Sequence, residues 1–364
     1  MVSIRDVAKR AGVSHQTVSN AINSPEVVSA DTRDRIQDAI RELGYKPNAS
    51  ARRLRSGHSD TIAIGISTGE NRAPSPIFDA FLHLLAERAN ELDKQIVLYA
   101  RKDEEGELAH ISALREQSDV DAVVLNELEI DDHRPQWLLN NGQPFVLFGR
   151  PWDLPQPIAD RIPWVDVNGY AGIKSVTRKL IDQGRRRIGF IGWDTGTGTA
   201  TDRESGWRDA ILESHLAGCD QDLDTWSIGT QESVEAGIEA AYELFSRHDT
   251  PDTFPDAIVC ASDSLAVGAL IGLSRAVERD YILRTNIISL PHAIQRMIVV
   301  TGFDDSALSR VYSFPSVHQP LEEVTRLLLD MIVDITTGEK VTDDPRWHRL
   351  LEPRVVWRVR KDMY

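Results

Sequence analysis

His15, Gln16, Thr17, Ser19 and Asn20 form a run of hydrogen-bonding side chains with no fixed charge among them. A solvated helix face ordinarily carries Glu and Lys. A row of neutral donors and acceptors suits base edges in a DNA major groove, where Gln and Asn bind adenine in two-point fashion. An ordinary polar surface helix is the other reading, and on this face alone both stay open. Further on, residues 49–55 set three arginines (Arg52, Arg53, Arg55) around Leu54. Arginines hold phosphates, and an apolar side chain opens a minor-groove base step. A basic linker that does not fold is the alternative there.

Motifs for catalysis are weak. Gly65-Ile66-Ser67-Thr68-Gly69 matches the G-x-S-x-G nucleophile elbow after a strand, but the motif needs a helix next and residues 70–76 read as loop. Gly196-Thr197-Gly198 lacks the third glycine of a dinucleotide fingerprint, and no P-loop or H-E-x-x-H pattern occurs. The ten histidines are scattered, so no metal or cofactor is indicated. Asp304-Asp305 follows a strand at 299–301. A carboxylate pair there holds a metal or accepts hydrogen bonds from a polyol, and the expectation is a protein without enzymatic activity.

The elements that must position these residues fall into two kinds. In the first 46 residues, Ser3 with Asp6 three residues on has the form of a capped helix start. Val7, Ala8 and Ala11 share a face, and Gly12 permits a sharp turn. Ser14 caps a second helix over 15–22, with Val18 and Ile22 inward. Ser29 or Asp31 caps a third, on which Ile36, Ile40 and Leu43 recur at helical spacing before Gly44 ends it. Helix, glycine turn, helix is a helix-turn-helix pattern. Pro47 disfavours helix at Lys46, and Asn48 can cap the two-turn stretch that follows, too short to be stable alone in water. From residue 61, strands (61–66, 95–99, 122–125, 145–148, 187–191, 257–261, 297–300) alternate with helices (76–92, 108–117, 171–182, 203–213, 234–246, 264–277), and a last strand covers 354–359. Alternation means an α/β protein with parallel sheets. The irregular strand spacing at 126–165 favours two doubly wound sheets over one barrel. Ligands of such sheets bind beyond the carboxyl ends of the strands.

Composition agrees. With 364 residues, 41% hydrophobic and 27% charged, the chain is an ordinary globular protein of two or three domains. Its two cysteines, Cys219 and Cys260, exclude a disulfide scaffold and a four-cysteine zinc site. No apolar run approaches membrane-spanning length and no signal peptide is evident, so the expected location is the cytoplasm. The net charge of −15 is uneven: residues 1–58 hold ten Lys/Arg and six Asp/Glu (+4), the remainder 31 and 50 (−19). A polyanion attracts only the head.

The head resembles the lactose/galactose repressor (LacI/GalR) family of bacterial transcription regulators. The match lies in residues 4–14 (Ile-Arg-Asp-Val-Ala-Lys-Arg-Ala-Gly-Val-Ser), Thr17-Val18-Ser19, Val28-Ser29, Leu43-Gly44-Tyr45 and Pro47-Asn48-Ala49. The body is similar to that family's effector domain, itself like periplasmic sugar-binding proteins. The landmarks are 167–172, Gly184 to Ile188, Arg203 with Gly206-Trp207, Ser262-Asp263, Gly302-Phe303-Asp304-Asp305 and 317–320. The resemblance implies a fold with an all-α helix-turn-helix head (1–46), a hinge helix and linker (47–60) and two parallel-sheet lobes (61–364). The first lobe is expected at 61–165 plus 304–318, the second at 166–303 plus 319–364. It implies that His15, Gln16, Ser19 and Asn20 face bases and that Ser14, Thr17, Asn23 and Tyr45 position phosphates. Leu54 would be the hinge wedge, with Asn48, Ala51 and Arg55 beside it. In the body it implies an effector site at Phe78, Arg150, Asn168, Arg203, Ser262 and Asp304. Asn20, Asn168, Gly169 and Ser262 depart from the family's usual residues, and about a dozen extra residues fall near 281–295. The implied function is a ligand-responsive repressor, a homodimer on a near-palindromic operator, with a sugar as effector. The implied setting is the bacterial cytoplasm, at the nucleoid when bound. A transcriptional activator of the same architecture and a solute-binding protein without regulatory role are the alternatives.

Overall fold

The computed structural model describes residues 2–45, 59–68, 75–117, 120–217, 220–248, 253–285 and 298–358. The chain divides into two compact units at Ser59/Asp60. The expected hinge residues Asn48, Ala51, Leu54 and Arg55 lie outside the described residues, as does the side chain of Asn23.

The first unit holds α1 (Ile4–Ala11), α2 (His15–Asn23) and α3 (Ala30–Leu43). The Asp6 carboxylate accepts from the Ser3 amide at 2.9 Å and hydroxyl at 2.8 Å, which keeps its pKa below the ordinary value. Gly12 (φ 67°) turns the chain after α1, and Gly44 (φ 62°) ends α3. Both sit in the left-handed region that glycine enters without steric cost. Val7, Ala8, Ala11, Val18, Ile36 and Ala39 form the core, with Ile4, Ile22, Ile40, Leu43 and Tyr45 packed on it.

The second unit carries two six-stranded sheets. The first is built from β1 (Thr61–Ser67), β2 (Gln95–Arg101), β3 (Ala122–Leu125), β4 (Phe145–Phe148), β5 (Trp164–Val167) and β11 (His348–Leu351), in the order β11-β5-β4-β3-β1-β2. Its helices are α4 (Pro76–Glu91), α5 (Glu104–Glu116), α6 (Arg134–Asn141) and the short α7 (Gln156–Ala159). The second sheet comprises β6 (Ile188–Trp193), β7 (Ser227–Thr230), β8 (Ala257–Cys260), β9 (Val299–Asp304), β10 (Ser316–His318) and β12 (Arg354–Val356), ordered β12-β10-β9-β8-β6-β7. Around it run α8 (Gly169–Asp182), α9 (Gly198–Glu213), α10 (Val234–Ser246), α11 (Asp263–Thr285) and α12 (Ala307–Tyr312). The helix α13 (Leu321–Thr336) follows β10. Every pairing is parallel except β10 with β12. Parallel strands covered on both faces read as continuous apolar runs, as β3 (Ala-Val-Val-Leu) and β8 (Ala-Ile-Val-Cys) do.

The structure corrects the division between lobes. Residues 304–318, expected in the first lobe, belong to the second, because β10 pairs with β9 from Ser316–Gly302 to His318–Asp304. Residues 321–351, expected in the second lobe, belong to the first. Leu321, Val324, Leu328 and Ile332 of α13 pack with Ile64, Phe81 and Val146, and β11 pairs with β5. Asp166 and Val167 also stay in the first sheet. The chain thus crosses between lobes after Val167, after His318 and after Leu351. Local periodicity marks where strands and helices lie but not which sheet a strand joins, which is why this pairing was not legible. The helix expected over 264–277 continues to Thr285, into the extra segment near 281–295, whose remainder from 286 lies outside the described residues. The last strand ends at Val356 rather than 359.

Candidate functional site

Two groups of residues are candidates, one in each unit. In the head, the turn at Gly12 leads directly into the start of α2. Ser14 caps that helix, accepting from the Thr17 amide at 3.1 Å, and its hydroxyl pairs with the Thr17 hydroxyl at 2.8 Å. His15 and Gln16 then stand exposed in the first turn, and Gln16 Nε2 donates to Asn20 Oδ1 at 3.0 Å. An exposed amide pair of this kind can exchange its internal bond for a base edge at little cost. Ser19 does not belong to this face: it is 8% exposed. Residues three apart on a helix share a side, so Ser19 follows the inward Ile22. Tyr45 is half-buried against the head core, with Ile40 and Leu43.

In the second unit, residues at or just beyond the carboxyl ends of the strands of both sheets meet. Arg150 follows β4. Its Nε donates to Asp166 at the end of β5 (2.8 Å), and its second amino group donates to Asp202 on α9 (2.7 Å), joining the two lobes. Its guanidinium lies 4.2 Å from the centre of the Trp152 ring. Asp202 also accepts from the Tyr170 amide at 3.0 Å. Trp152 approaches Gly198 so closely that any side chain on that glycine would collide with the indole.

Arg203, one residue after Asp202, is 6% exposed. It donates to the Ala261 carbonyl and lies 3.7 Å from the Phe303 ring centre and 4.8 Å from that of Trp193. Its Nε has no hydrogen-bond partner among the described residues. Burial lowers its pKa, while Asp304, Asp166, Glu232 and Asp202 act in the opposite direction. Glu232, just past β7, accepts from Trp193 Nε1 and Ser262 Oγ, both at 2.7 Å. Asp304 closes β9 at φ 115°, a strained value for a non-glycine residue. It accepts from Gln319 at 2.7 Å, and burial pushes its carboxyl well above the usual range.

Of the six expected effector residues, Arg150, Arg203, Ser262 and Asp304 are linked in this way through shared carboxylates and rings. Asn168 is occupied as the cap of α8: it accepts from Ala171 N at 3.0 Å and donates to Glu352 at 2.8 Å. Phe78 stands in an aromatic stack with Phe81 (6.0 Å), which continues to Phe148 (4.5 Å). Asp166, Asp202, Glu232, Trp193 and Gln319 escaped the sequence reading; Trp193 closes the apolar strand β6, a signal that could have found it, whereas Asp202 lies on α9 and Glu232 and Gln319 follow short strands that carry polar residues. Asn126, immediately beyond β3, was also missed. It is buried, with neither amide atom hydrogen-bonded among the described residues.

The serine of the elbow-like motif has a different role. Ser67 Oγ accepts from Arg101 and donates to Glu127 at 2.6 Å. This network runs on through Glu107, Arg134, Asp132 and Tyr99. The carboxylate that accepts its proton, Glu127, is itself paired with Arg101, so the serine stands within an ionic network. Among the described residues there is no His/Cys/Asp/Glu group suited to a metal ion, and no helix is long and apolar enough to cross a membrane.

Comparison with known proteins shows the family of both parts of the chain. Residues 3–48 match the model of bacterial regulatory proteins of the lacI family, and residues 62–347 match that of periplasmic binding proteins and the sugar binding domain of the LacI family. The HTH-type transcriptional regulator CelR of Thermobifida fusca is 32% identical over 337 residues, 92% of this chain and 91% of that protein. A solved transcriptional regulator CelR–cellobiose complex superposes with a TM-score of 0.67 at 29% identity, covering 98% of this chain and 99% of the other. The lac repressor dimer bound to operator and the anti-inducer ONPF shares the fold, with a TM-score of 0.73 at 23% identity and 98% coverage of both chains. With both models matched in order along one chain, this protein belongs to the lacI family of bacterial regulatory proteins, which are DNA-binding transcriptional regulators.

Proposed function

We propose that this regulator is a repressor that reads a near-palindromic operator through α2 and releases it when a sugar occupies the cleft between its lobes. The observation that carries this reading is the exposed, uncharged start of α2, where His15 and Gln16 face solvent beside a cap made by Ser14. Gln16 and His15 read base edges, and Asn20 supports Gln16. Ser14, Thr17, Asn23 and Tyr45 set the phosphate register. Asn48, Ala51, Leu54 and Arg55, which lie outside the described residues, are assigned to DNA contact as well, with Leu54 as the minor-groove wedge.

The effector reading rests on the Arg150, Arg203, Ser262 and Asp304 group at the strand ends and on the sugar bound by the CelR relative. Arg150 to Asp202 spans the lobes, so a molecule that enters there favours one lobe arrangement over another. Couplings of this type typically amount to about 1–3 kcal/mol, roughly 5–150-fold in DNA affinity. A homodimer supplies the two heads a palindrome needs. It also accounts for Val97 (37% exposed) and Leu98 (48% exposed) on the edge strand β2, apolar residues that a second copy would cover.

The test is selection of bound fragments from random DNA by the purified protein, followed by a screen of sugars for release of the best fragment. The expected result is a two-fold symmetric site bound with a Kd of about 10⁻⁸–10⁻¹¹ M. Equal binding of all sequences at physiological salt, with and without sugars, overturns the proposal.

A further inference from the structure

We infer that Arg150 and Trp152 of the first lobe, meeting Asp202 and Gly198 of the second, form a reversible latch that holds the lobes in the operator-binding arrangement using the chain's own atoms alone. This inference rests on the reading that lobe arrangement sets operator affinity, and adds the device that fixes its resting state.

Each half of the latch is oriented on its own lobe. On the first, Asp166 takes Arg150 Nε at 2.8 Å, and the guanidinium lies 4.2 Å from the centre of the Trp152 ring. Trp152 in turn packs on the apolar cluster that holds Leu138, Leu147 and Ile162. On the second, Asp202 accepts from the Tyr170 amide at 3.0 Å, in the first turn of α8, where the helix end favours an anion. A donor and an acceptor already held in place lose little freedom when they meet. They meet through an Arg150 amino group, which donates to Asp202 at 2.7 Å. Nearby, the Trp152 indole fills the space that a side chain at position 198 would need. Besides the three crossings of the chain, these contacts join the lobes.

The same construction lets the latch open. The side chains of Arg150 and Asp202 are 22% and 16% exposed, so water reaches both once they part. Arg150 then keeps Asp166, and Asp202 keeps the Tyr170 amide. No charge is left buried without a partner, which is what makes internal ion pairs hard to break. A ligand that favours another lobe arrangement has one charge-assisted hydrogen bond and one aromatic contact to displace. That load lies within the roughly 5–150-fold couplings usual between two sites. A repressor that holds its operator before any sugar arrives needs such a self-sufficient closure.

The experiment alters the second lobe and reads the first. Asp202→Asn removes the charge and keeps an acceptor for the Tyr170 amide. Gly198→Ala leaves every charge in place and pushes a methyl group against the indole. Hydrogen–deuterium exchange of the full chain, followed by mass spectrometry, reports opening at residues 149–155, with the core strand β3 as the internal control. Fluorescence anisotropy of the selected operator, without sugar, reports the regulatory effect. Either variant should speed exchange at 149–155 and weaken operator binding by about tenfold, the effect of one charge-assisted hydrogen bond lost, while exchange in β3 stays as in the parent. The double variant should do no more than the stronger single one, because both open one latch. Unchanged exchange at 149–155 in both variants overturns the latch. Faster exchange there with unaltered operator affinity overturns its regulatory role. A parent protein that prefers no DNA sequence overturns the operator reading and the regulatory role with it, and the exchange data still decide whether the latch exists.

Discussion

Arg203→Ala tests the body most directly. The side chain is 6% exposed, donates to the Ala261 carbonyl, covers Phe303 and sits among four carboxylates. Its removal leaves Asp304, already pushed toward its protonated form by burial, without the one cation that counters that push. Removing one partner of a buried ionic group costs about 3–5 kcal/mol. The unit from Asp60 to Tyr364 holds roughly 300 residues, and unfolding entropy near 60 °C is about 2.1 cal/mol/K per residue, or ~0.6 kcal/mol/K in all. A loss of ~4 kcal/mol then lowers the melting midpoint by about 6–7 °C. The head is a separate unit, so operator binding measured well below that midpoint should persist, while sugar no longer releases DNA. Scanning calorimetry and fluorescence anisotropy of a labelled operator, with and without sugar, read the two effects separately. Arg203→Lys keeps the charge but loses the planar contact with Phe303, and should fall between the variant and the parent. A midpoint unchanged within a degree, together with a normal sugar response, would refute the placement of Arg203 at the centre of the effector site.

Other outcomes follow from the same geometry. Gln16→Ala should relax base preference at one position of each half-site, costing about 1–3 kcal/mol; selection on random DNA with an unchanged consensus removes Gln16 from the readers. Glu107→Ala strips Tyr99 and the buried Arg134 of a shared partner (2.7 and 2.6 Å) and should cost about 3–5 kcal/mol in urea unfolding; a loss under 1 kcal/mol would show that the network repairs itself. Leu98→Asp should convert a dimer to monomers in sedimentation experiments, and a sedimentation coefficient equal to that of the parent protein would place the dimer contact elsewhere.

The head was almost wholly legible because its determinants are local. Caps lie within three residues of what they cap, and the glycines mark turns directly. Ser19 is the exception: adjacency to Gln16 and Thr17 suggested a shared face, whereas the helical repeat carries it inward. In the body, β3 and β8 announced themselves as apolar runs. β7, β10 and β11 are short and carry polar residues such as Ser227, His318 and His348, so no run marks them. The spacing of Leu321, Val324, Leu328 and Ile332 signals a helix, but its packing on the first lobe depends on contacts with distant Phe81 and Val146. The effector group shows the same limit. Arg203 and Asp304 stood out, while Asp202 and Glu232 are ordinary acids in the sequence and gain meaning only where the strand ends converge.

The last two strands, β11 and β12, finish one sheet each within a stretch of nine residues, His348–Leu351 and Arg354–Val356. On the ribosome, neither lobe can close until this stretch has emerged, whereas the helical head is complete some 300 residues earlier, roughly 15–60 s at ordinary elongation rates of 5–20 residues per second. For that interval the cell contains a nascent DNA-binding module whose sensor is unfinished. A nonsense codon before His348 would make the condition permanent, stripping an edge strand from both sheets at once and leaving a fragment that the effector can no longer address.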